Sequence, residues 1–320
     1  MSIAAKLQPL FIIAAAGAGI LAGTLSPVAG RHAGAFIEPF LMLMLFFVFL
    51  SADMRAIRRS FADKRFAVSA LLINFVWNPA FAFLLAKRFL SQSADLQIGF
   101  IMLMVTPCTD WYLIFTSLAK GNTALGASIL PLNLVAQIAL LPLYLLFFMG
   151  EAASFTAGII IQSLVMVLII PAASANLLKA ALKKTRWRRL TEKTEKIAGK
   201  SEGLQFFLLC CAVAAMFSSQ GSLLLSRISV FAVLAPPLIL FFAVNGAAVF
   251  WAGRLLGLSY QDRAALVFTA SARNSPVSLA VAAVTFPSRP VVSLVLVMGP
   301  LLELPLLAIN AGILRKRAGF

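Results

Sequence analysis

The chain has 320 residues, of which 61% are hydrophobic and only 12% are charged. Soluble domains carry about 25% charged residues, and here the deficit extends along the whole sequence, which excludes a soluble domain with a single membrane anchor. The net charge of +16 would suit nucleic acid, but no basic patch accompanies a recognition motif, and basic residues accumulate in cytoplasmic loops. The composition therefore predicts an all-α polytopic membrane protein that does not bind nucleic acid.

Ten apolar segments succeed one another along the chain, and their lengths suit bilayer-spanning helices. The first is long for a signal peptide and no clear cleavage site follows it, so we expect it to remain as a span. The ten segments cover about 9–25, 34–52, 66–86, 96–119, 123–149, 155–180, 203–219, 228–253, 262–286 and 290–314.

The distribution of lysine and arginine indicates the orientation of these spans. With ten spans and a cytoplasmic N-terminus, 21 basic residues lie in cytoplasmic pieces, five lie outside and Arg273 lies within a span. Nine of the 21 lie between Lys179 and Lys200, in a loop that we expect to contact anionic lipid headgroups. Because positive charge concentrates on the cytoplasmic side, we predict a multi-pass protein of a bacterial-type inner (plasma) membrane with both termini cytoplasmic.

Polar residues and prolines recur at corresponding places in two halves of five spans. Halves with an odd number of spans must insert with opposite topology, which is the inverted-repeat pattern of transporters. We expect the polar spans 3–5 and 8–10 to form a core domain and spans 1, 2, 6 and 7 to form a panel domain. Residues 1–180 then hold the first repeat with span 6, residues 181–202 a basic cytoplasmic loop, and residues 203–320 spans 7–10. The matching positions are Asn74, Asn78 and Pro79 beside Pro236, Pro237 and Asn245, and Asn133, Gln137 and Pro142 beside Pro300, Glu303 and Pro305.

The fourth span of each half carries a polar break in the middle of an apolar run. The break in span 4 is Val105–Trp111, and the break in span 9 is Ser271–Pro276. Proline removes a helical hydrogen bond, so we expect Pro107 and Pro276 to break these helices. A break exposes N–H groups at the start of one half-helix, which attract anions, and carbonyls at the end of the other, which attract cations. Two crossing breaks therefore predict a substrate site at mid-membrane.

Three ionisable residues, Asp110, Arg273 and Glu303, lie deepest in the predicted spans. An unpaired charge there costs on the order of 3 kcal/mol, so we expect Arg273 to pair with a carboxylate in at least one state. The pair is either a static link or a switch in which Asp110 or Glu303 carries a coupling proton or binds sodium. The coupling ion is thus H⁺ or Na⁺, and no cofactor is expected. Further candidates for ion coupling are Asn133, Gln137 and Ser271.

Cys108 is the most distinctive of the candidate residues. A lone buried cysteine is usually a small apolar residue, but this one follows a breaking proline at a predicted helix start. A thiolate in that place is a good ligand for a thiophilic centre such as trivalent arsenic. Cys210 and Cys211 lack polar neighbours, and we expect them to pack. The candidate substrate-binding residues are Cys108, Thr109, Asp110, Arg273, Asn274 and Ser275, with Cys108 as the metalloid ligand if arsenite is the cargo.

This pattern favours a secondary transporter that works by alternating access. Its cargo is either a metalloid such as arsenite or a small organic anion whose carboxylate meets Arg273. A channel or sensor is a second class of function. An enzyme is disfavoured, because the sequence lacks HExxH, GxSxG and P-loop motifs and any nucleophile–base pair. The expected partners are the small substrate and the lipid bilayer, and we expect a monomer or a weak homo-oligomer.

Several motifs resemble one family of transporters. The segments Pro107-Cys108-Thr109, 118–122 (Leu-Ala-Lys-Gly-Asn) and Leu132-Asn133 with Gln137 are similar to the fourth and fifth spans of the Acr3-type arsenite efflux transporters. The segment Gly299–Pro305 resembles the GP-L-x-E-x-P pattern of their last span. These transporters belong to the bile acid:sodium symporter superfamily. The resemblance implies its fold, which is a ten-helix inverted repeat with core and panel domains and with helices 4 and 9 broken where they cross.

The resemblance also implies arsenite export coupled to proton influx, with Cys108 as the arsenite ligand and Glu303 as the essential acid. The chain departs from the family in two places. After Cys108 it reads Thr-Asp-Trp-Tyr, where the family usually has smaller apolar residues. In span 9 it carries Arg273, where sodium-coupled relatives tend to have a carboxylate and amides. Arg273 can therefore occupy the place of a bound cation, which weakens a sodium mechanism.

Overall fold

The computed structural model describes residues 3–51, 63–108, 112–149, 169–184, 201–226 and 229–317. Within these ranges the chain is helical, and its β structure is one isolated bridge. The all-α prediction is therefore confirmed for the described part of the chain. The helices are α1 (Ile3–Leu25), α2 (Pro27–Ser51), α3 (Lys64–Phe89), α4 (Ala94–Val105), α5 (Tyr112–Leu118), α6 (Thr123–Met149), α7 (Ile170–Lys184), α8 (Ser201–Ser226), α9 (Ser229–Leu255), α10 (Tyr260–Ser271), α11 (Ser275–Thr285) and α12 (Pro290–Arg317).

Four of the described helices are long and apolar enough to cross a membrane, judged by length and composition. They are α3, α6, α9 and α12, and each coincides with a predicted span. The sequence placed the end of the seventh segment near residue 219, whereas α8 continues to Ser226. Most of the predicted sixth span and of the basic loop lies outside the described residues. Shorter apolar helical stretches are Ala14–Leu25, His32–Phe47, Ala94–Val105, Gly203–Ser219 and Ser275–Thr285.

Helices α1, α2 and α8 pack together as one group, and α7 packs against α2. Glycines allow α1 and α8 to touch backbone to backbone. A Cβ atom added at Gly19 would lie 2.3 Å from the carbonyl oxygen of Ala214, and one added at Gly23 would lie 2.2 Å from that of Ser218. Because real Cβ atoms do not approach so closely, these two positions fix a close helix crossing that larger residues would force apart.

The remaining helices form a second group around α12. Helix α12 packs against α4, α9 and α11, while α10 packs against α9 and α6. The crossing of α4 and α12 is also close, because a Cβ atom at Gly99 would lie 2.7 Å from Cβ of Val295. This group contains both half-helix pairs, α4 with α5 and α10 with α11. It touches the first group where α11 packs against α2 and where α12 contacts α1 and α8.

Helix α3 contains a single π turn at Ile73–Trp77. Such turns are rare and frequently lie at functional sites. Part of the freed hydrogen-bonding capacity is used by α6, because the hydroxyl of Tyr144 donates to the carbonyl of Phe75 at 2.5 Å. The turn and the residue after it carry two fully buried amides, Asn74 and Asn78, which join the polar centre described below.

Candidate functional site

The two helix breaks meet and are joined by backbone hydrogen bonds. Pro107 and Arg273 form an antiparallel bridge. The N–H of Cys108 donates to the carbonyl of Ala272 at 2.9 Å, and the N–H of Asn274 donates to the carbonyl of Thr106 at 2.8 Å. Two extended segments from distant parts of the sequence therefore satisfy each other's backbone hydrogen-bonding groups at the points where α4 and α10 end.

Helix α4 ends because Thr106 precedes a proline, which disfavours the helical conformation. Thr106 is extended, with φ −107° and ψ 101°. Its hydroxyl oxygen lies 3.0 Å from the carbonyl oxygen of Met102 and 2.7 Å from Oγ of Ser278. The Ser278 hydroxyl also donates to Met102 at 2.9 Å. Hydroxyls from both sides of the crossing therefore cap the end of this half-helix.

Helix α11 begins with a standard N-terminal cap. The side chain of Asn274 accepts from the N–H of Val277 at 3.3 Å, and Pro276 occupies the first turn. Proline suits this position because its missing N–H has no helical acceptor there. The break in the ninth span thus comprises residues 272–274, and Pro276 lies in the first turn of the second half-helix. Ser275 is buried at the same helix start.

Arg273 lies in the middle of the bridge with its side chain 2% exposed. Each of its three side-chain nitrogens donates to a backbone carbonyl. Nε donates to Ser271 at 2.9 Å, Nη1 donates to Met104 at 2.7 Å, and Nη2 donates to Ala270. The guanidinium also lies 5.6 Å from the centroid of the buried Phe241 ring, a cation–π distance.

The carbonyl oxygen of Ala270 accepts hydrogen bonds from three side chains. It accepts from Nδ2 of Asn78 at 2.8 Å and from Nδ2 of Asn245 at 2.9 Å, in addition to Arg273. The Oδ1 atom of Asn245 in turn accepts from Nε1 of Trp77 at 3.0 Å. Helices α3, α9 and α10 are thus connected at the point where α10 ends, which gives Asn78 and Asn245 a structural role.

Glu303 reaches the same bridge from α12. Glu303 is 4% exposed, and its Oε1 accepts from the backbone N–H of Arg273 at 2.8 Å. The sequence led us to expect an ion pair between the Arg273 side chain and a carboxylate. The hydrogen bond instead runs to the backbone of Arg273, while the guanidinium binds carbonyls. The other predicted partner, Asp110, lies outside the described residues, as does Thr109.

A group of buried amides and hydroxyls adjoins the breaks. Asn133 donates to Oγ1 of Thr269 at 3.2 Å and accepts from Asn74 at 3.4 Å. Gln137, one helical turn from Asn133, is fully buried, and among the described residues neither of its polar side-chain atoms has a hydrogen-bond partner. The same holds for Oγ of Ser271. Buried polar atoms are normally satisfied, so these atoms are available to a water molecule or an ion.

Cys108 follows the bridge directly and is 1% exposed. Its thiol and the Glu303 carboxylate both lie close enough to the Arg273 guanidinium to interact with it electrostatically. The structure therefore brings together Cys108, Arg273 and Glu303, three of the residues singled out from the sequence. Sequence reasoning assigned no role at the site to Thr106, Ser278 or Thr269. For Thr106 the signal was present, since a threonine directly before a breaking proline is suited to cap the helix end.

Comparison with known proteins identifies the family. A family model described as the Sodium Bile acid symporter family matches residues 38–227, which is more than half of the chain. The chain belongs to this family. The resemblance to the bile acid:sodium symporter superfamily is therefore confirmed, and the chain is a multi-pass membrane protein of a transporter family.

Two curated relatives extend the match over most of the chain. The arsenical-resistance protein Acr3 of Corynebacterium glutamicum is 25% identical, and the alignment covers 94% of this chain and 86% of that protein. The uncharacterized protein YbaS of Bacillus subtilis is 24% identical over 78% of this chain and 79% of its own length.

The hydroxyl bridge at the crossing predicts an effect on stability. Thr106→Val keeps the shape of the side chain but removes the oxygen that bonds the end of α4 and Ser278. We expect a loss of about 1–2 kcal/mol in the free energy of unfolding, measured by thermal or denaturant unfolding in detergent. Thr285→Val is the matched control, because the buried Oγ1 of Thr285 has no hydrogen-bond partner among the described residues. Equal losses in both variants would contradict this role of Thr106.

Proposed function

We propose that this family member is a secondary active transporter that exports arsenite by alternating access, coupled to proton influx. We further propose that ten helices form two inverted five-helix repeats, with spans 3–5 and 8–10 as a core that moves against a panel of spans 1, 2, 6 and 7. Two observations support this division. Helices α1, α2 and α8 pack as one group, and both broken helices belong to the other.

The position of Cys108 is the observation that carries the choice of cargo. Its thiol lies where two broken helices meet, beside a fixed guanidinium and a carboxylate. The thiolate is the form that binds soft centres, and trivalent arsenic is such a centre. When Cys108 binds arsenous acid, one As–O bond breaks and one S–As bond forms, and the thiol proton leaves with the hydroxyl group as water. Thr109, Asp110, Asn274 and Ser275 are proposed to complete the binding site.

Proton coupling requires a second titratable group, because this ligand exchange has no net effect on free protons. Glu303 meets the requirement, since its carboxylate is buried and bonds the backbone of the bridge. We assign it the coupling proton. Protonation would remove the negative charge beside Arg273 and weaken the bond to the bridge, which links the proton to the position of α12. Asn133, Gln137, Ser271 and Asp110 are proposed to assist in ion coupling, the first three through buried hydrogen-bonding capacity.

The alternative cargo is a small organic anion whose carboxylate binds Arg273. The geometry of Arg273 argues against it, because all three side-chain nitrogens already donate to backbone carbonyls. A carboxylate would have to displace several of these bonds, each of which involves a charged donor and is worth roughly 1.5–3 kcal/mol. The arsenite proposal requires no such rearrangement.

Growth of an arsenite-sensitive bacterium tests the proposed cargo. Cells that express the wild-type chain in the membrane are expected to tolerate about tenfold more arsenite than cells with the empty vector, since active export lowers the internal concentration. Tolerance to cadmium should be unchanged, which separates export of arsenite from a general stress response. If arsenite tolerance does not rise although the protein reaches the membrane, arsenite is not its cargo.

A further inference from the structure

Three carbonyls at the crossing have lost their helical partners. In a continuous helix, the carbonyl of Met104 would accept from the N–H of Cys108, and that of Ala270 would accept from the N–H of Asn274. Both N–H groups point instead to the opposite strand of the bridge. Ser271 is the last residue of α10, so its carbonyl is likewise at a helix end. The three oxygens are therefore C-terminal groups of two half-helices that lack their helical donors, although that of Ala270 also accepts from Asn78 and Asn245.

Such a set of oxygens is suited to a cation. The C-terminal end of each helix carries a partial charge of about −0.5, and here the ends of α4 and α10 face one place. Carbonyls at the ends of broken helices are typical ligands for sodium in secondary transporters. Without the Arg273 side chain, these carbonyl oxygens would form a binding site suited to a hard monovalent cation.

The guanidinium of Arg273 occupies this place. It donates to all three of these carbonyls, and the Phe241 ring lies near it in cation–π contact. Its side chain is almost fully buried, and it belongs to the bridge that holds the two half-helix pairs together. The cation is therefore covalently part of the chain and cannot leave during a transport cycle.

We propose that Arg273 is a resident cation that replaces a bound sodium ion at the crossing, so that the wild-type protein takes no sodium there. The family is described as one of sodium symporters, but the residues present do not fit sodium at this position, because its oxygen ligands are occupied and a second positive charge would be repelled. The inference deepens the proposed function by restricting coupling to protons. Its test measures ion binding alone and does not depend on the cargo.

Thermal unfolding of the purified protein in detergent tests the inference. Melting temperatures are compared in NaCl, KCl and choline chloride at constant ionic strength for the wild type, Arg273→Gln and Arg289→Gln. Arg289 is a suitable control, because its side chain is 23% exposed and pairs with Asp95 at 3.4 Å, away from the crossing. The two variants lose the same charge, but only the first removes the resident cation.

We expect the wild type and Arg289→Gln to melt at the same temperature in all three salts, within about 1 °C. Arg273→Gln is expected to melt lower in choline chloride and to regain several degrees in NaCl with a saturable concentration dependence, since an ion that binds only the folded state raises its stability. A saturable, sodium-specific rise in the wild type overturns the proposal. So does an Arg273→Gln protein that melts at the same temperature in all salts.

If Arg273→Gln does not accumulate as folded protein, Arg273→Lys replaces it, because the ammonium keeps a positive charge in the cage. This variant is expected to be insensitive to sodium, and a sodium-specific rise would overturn the proposal. A sodium-specific rise in the wild type would overturn the proposal even without any variant. Failure of arsenite export in cells would leave these salt measurements intact, so the two proposals fail separately.

Discussion

Replacing Cys108 by serine is expected to reduce arsenite transport by about 100-fold, which corresponds to about 2.7 kcal/mol of lost binding free energy. Serine fills nearly the same volume but offers a hard hydroxyl in place of a soft thiolate, and trivalent arsenic prefers sulfur. The backbone of Cys108 is held by a hydrogen bond from its N–H to Ala272, which the substitution leaves in place. We therefore expect the loss to appear in transport and not in folding.

Cys210→Ser is the matched control for this prediction. Cys210 is a partly buried cysteine of α8, in the other helix group and away from the bridge. Cells that express Cys210→Ser should tolerate arsenite as well as the wild type, whereas Cys108→Ser should resemble the empty vector. Both proteins must be present in the membrane at equal amounts, as checked by immunoblot. Full protection by Cys108→Ser would remove the thiol from the mechanism.

Glu303→Gln is expected to abolish transport driven by a proton gradient, with a loss of about 100-fold or more in the initial rate. Glutamine preserves the oxygen that accepts the N–H of Arg273, so the bridge between α12 and the break is retained. It cannot take up or release a proton in the working pH range. The variant thus separates the hydrogen bond, which remains, from the proton, which is lost.

Two comparisons make the Glu303 prediction specific. Asp95→Asn removes a carboxylate that is 32% exposed and lies outside the bridge, and it should transport at the wild-type rate. Arsenite binding by Glu303→Gln should persist, because the thiol of Cys108 is untouched. A Glu303→Gln protein that accumulates arsenite in response to the proton gradient as fast as wild type would show that another group carries the proton.

Much of the polar centre was predictable, because polar residues are costly inside an apolar run. Proline and ionisable residues at Val105–Trp111 and Ser271–Pro276 indicated the two helix breaks. The match to the family model shows that these breaks belong to a protein of a transporter family. The structure adds that α4 and α10 each end in an extended segment and that the two segments pair. Pairing between residues separated by more than 160 positions has no local signal that a single sequence reveals.

The partners of Arg273 were the least predictable part of the site. A buried arginine suggested a carboxylate partner, but half-helix ends supply carbonyls that carry no mark in the sequence, since every residue has one. The role of Ser278 was missed for a similar reason, because its contact with Thr106 depends on how two helices cross. Gln137 was selected as a polar residue in an apolar helix and as part of the motif that resembles the family, and within the described structure its amide has no hydrogen-bond partner.

Arsenite uptake into proteoliposomes is the most direct measurement of the central claim, which is proton-coupled transport of a metalloid through the crossing of the broken helices. The purified wild-type protein is reconstituted with an acidic interior, and arsenite is supplied outside in sodium-free buffer. Outward proton movement is expected to drive arsenite accumulation in the wild type, and a protonophore or Cys108→Ser should abolish it. Accumulation that requires sodium, or uptake no faster than that of protein-free liposomes, would contradict the account.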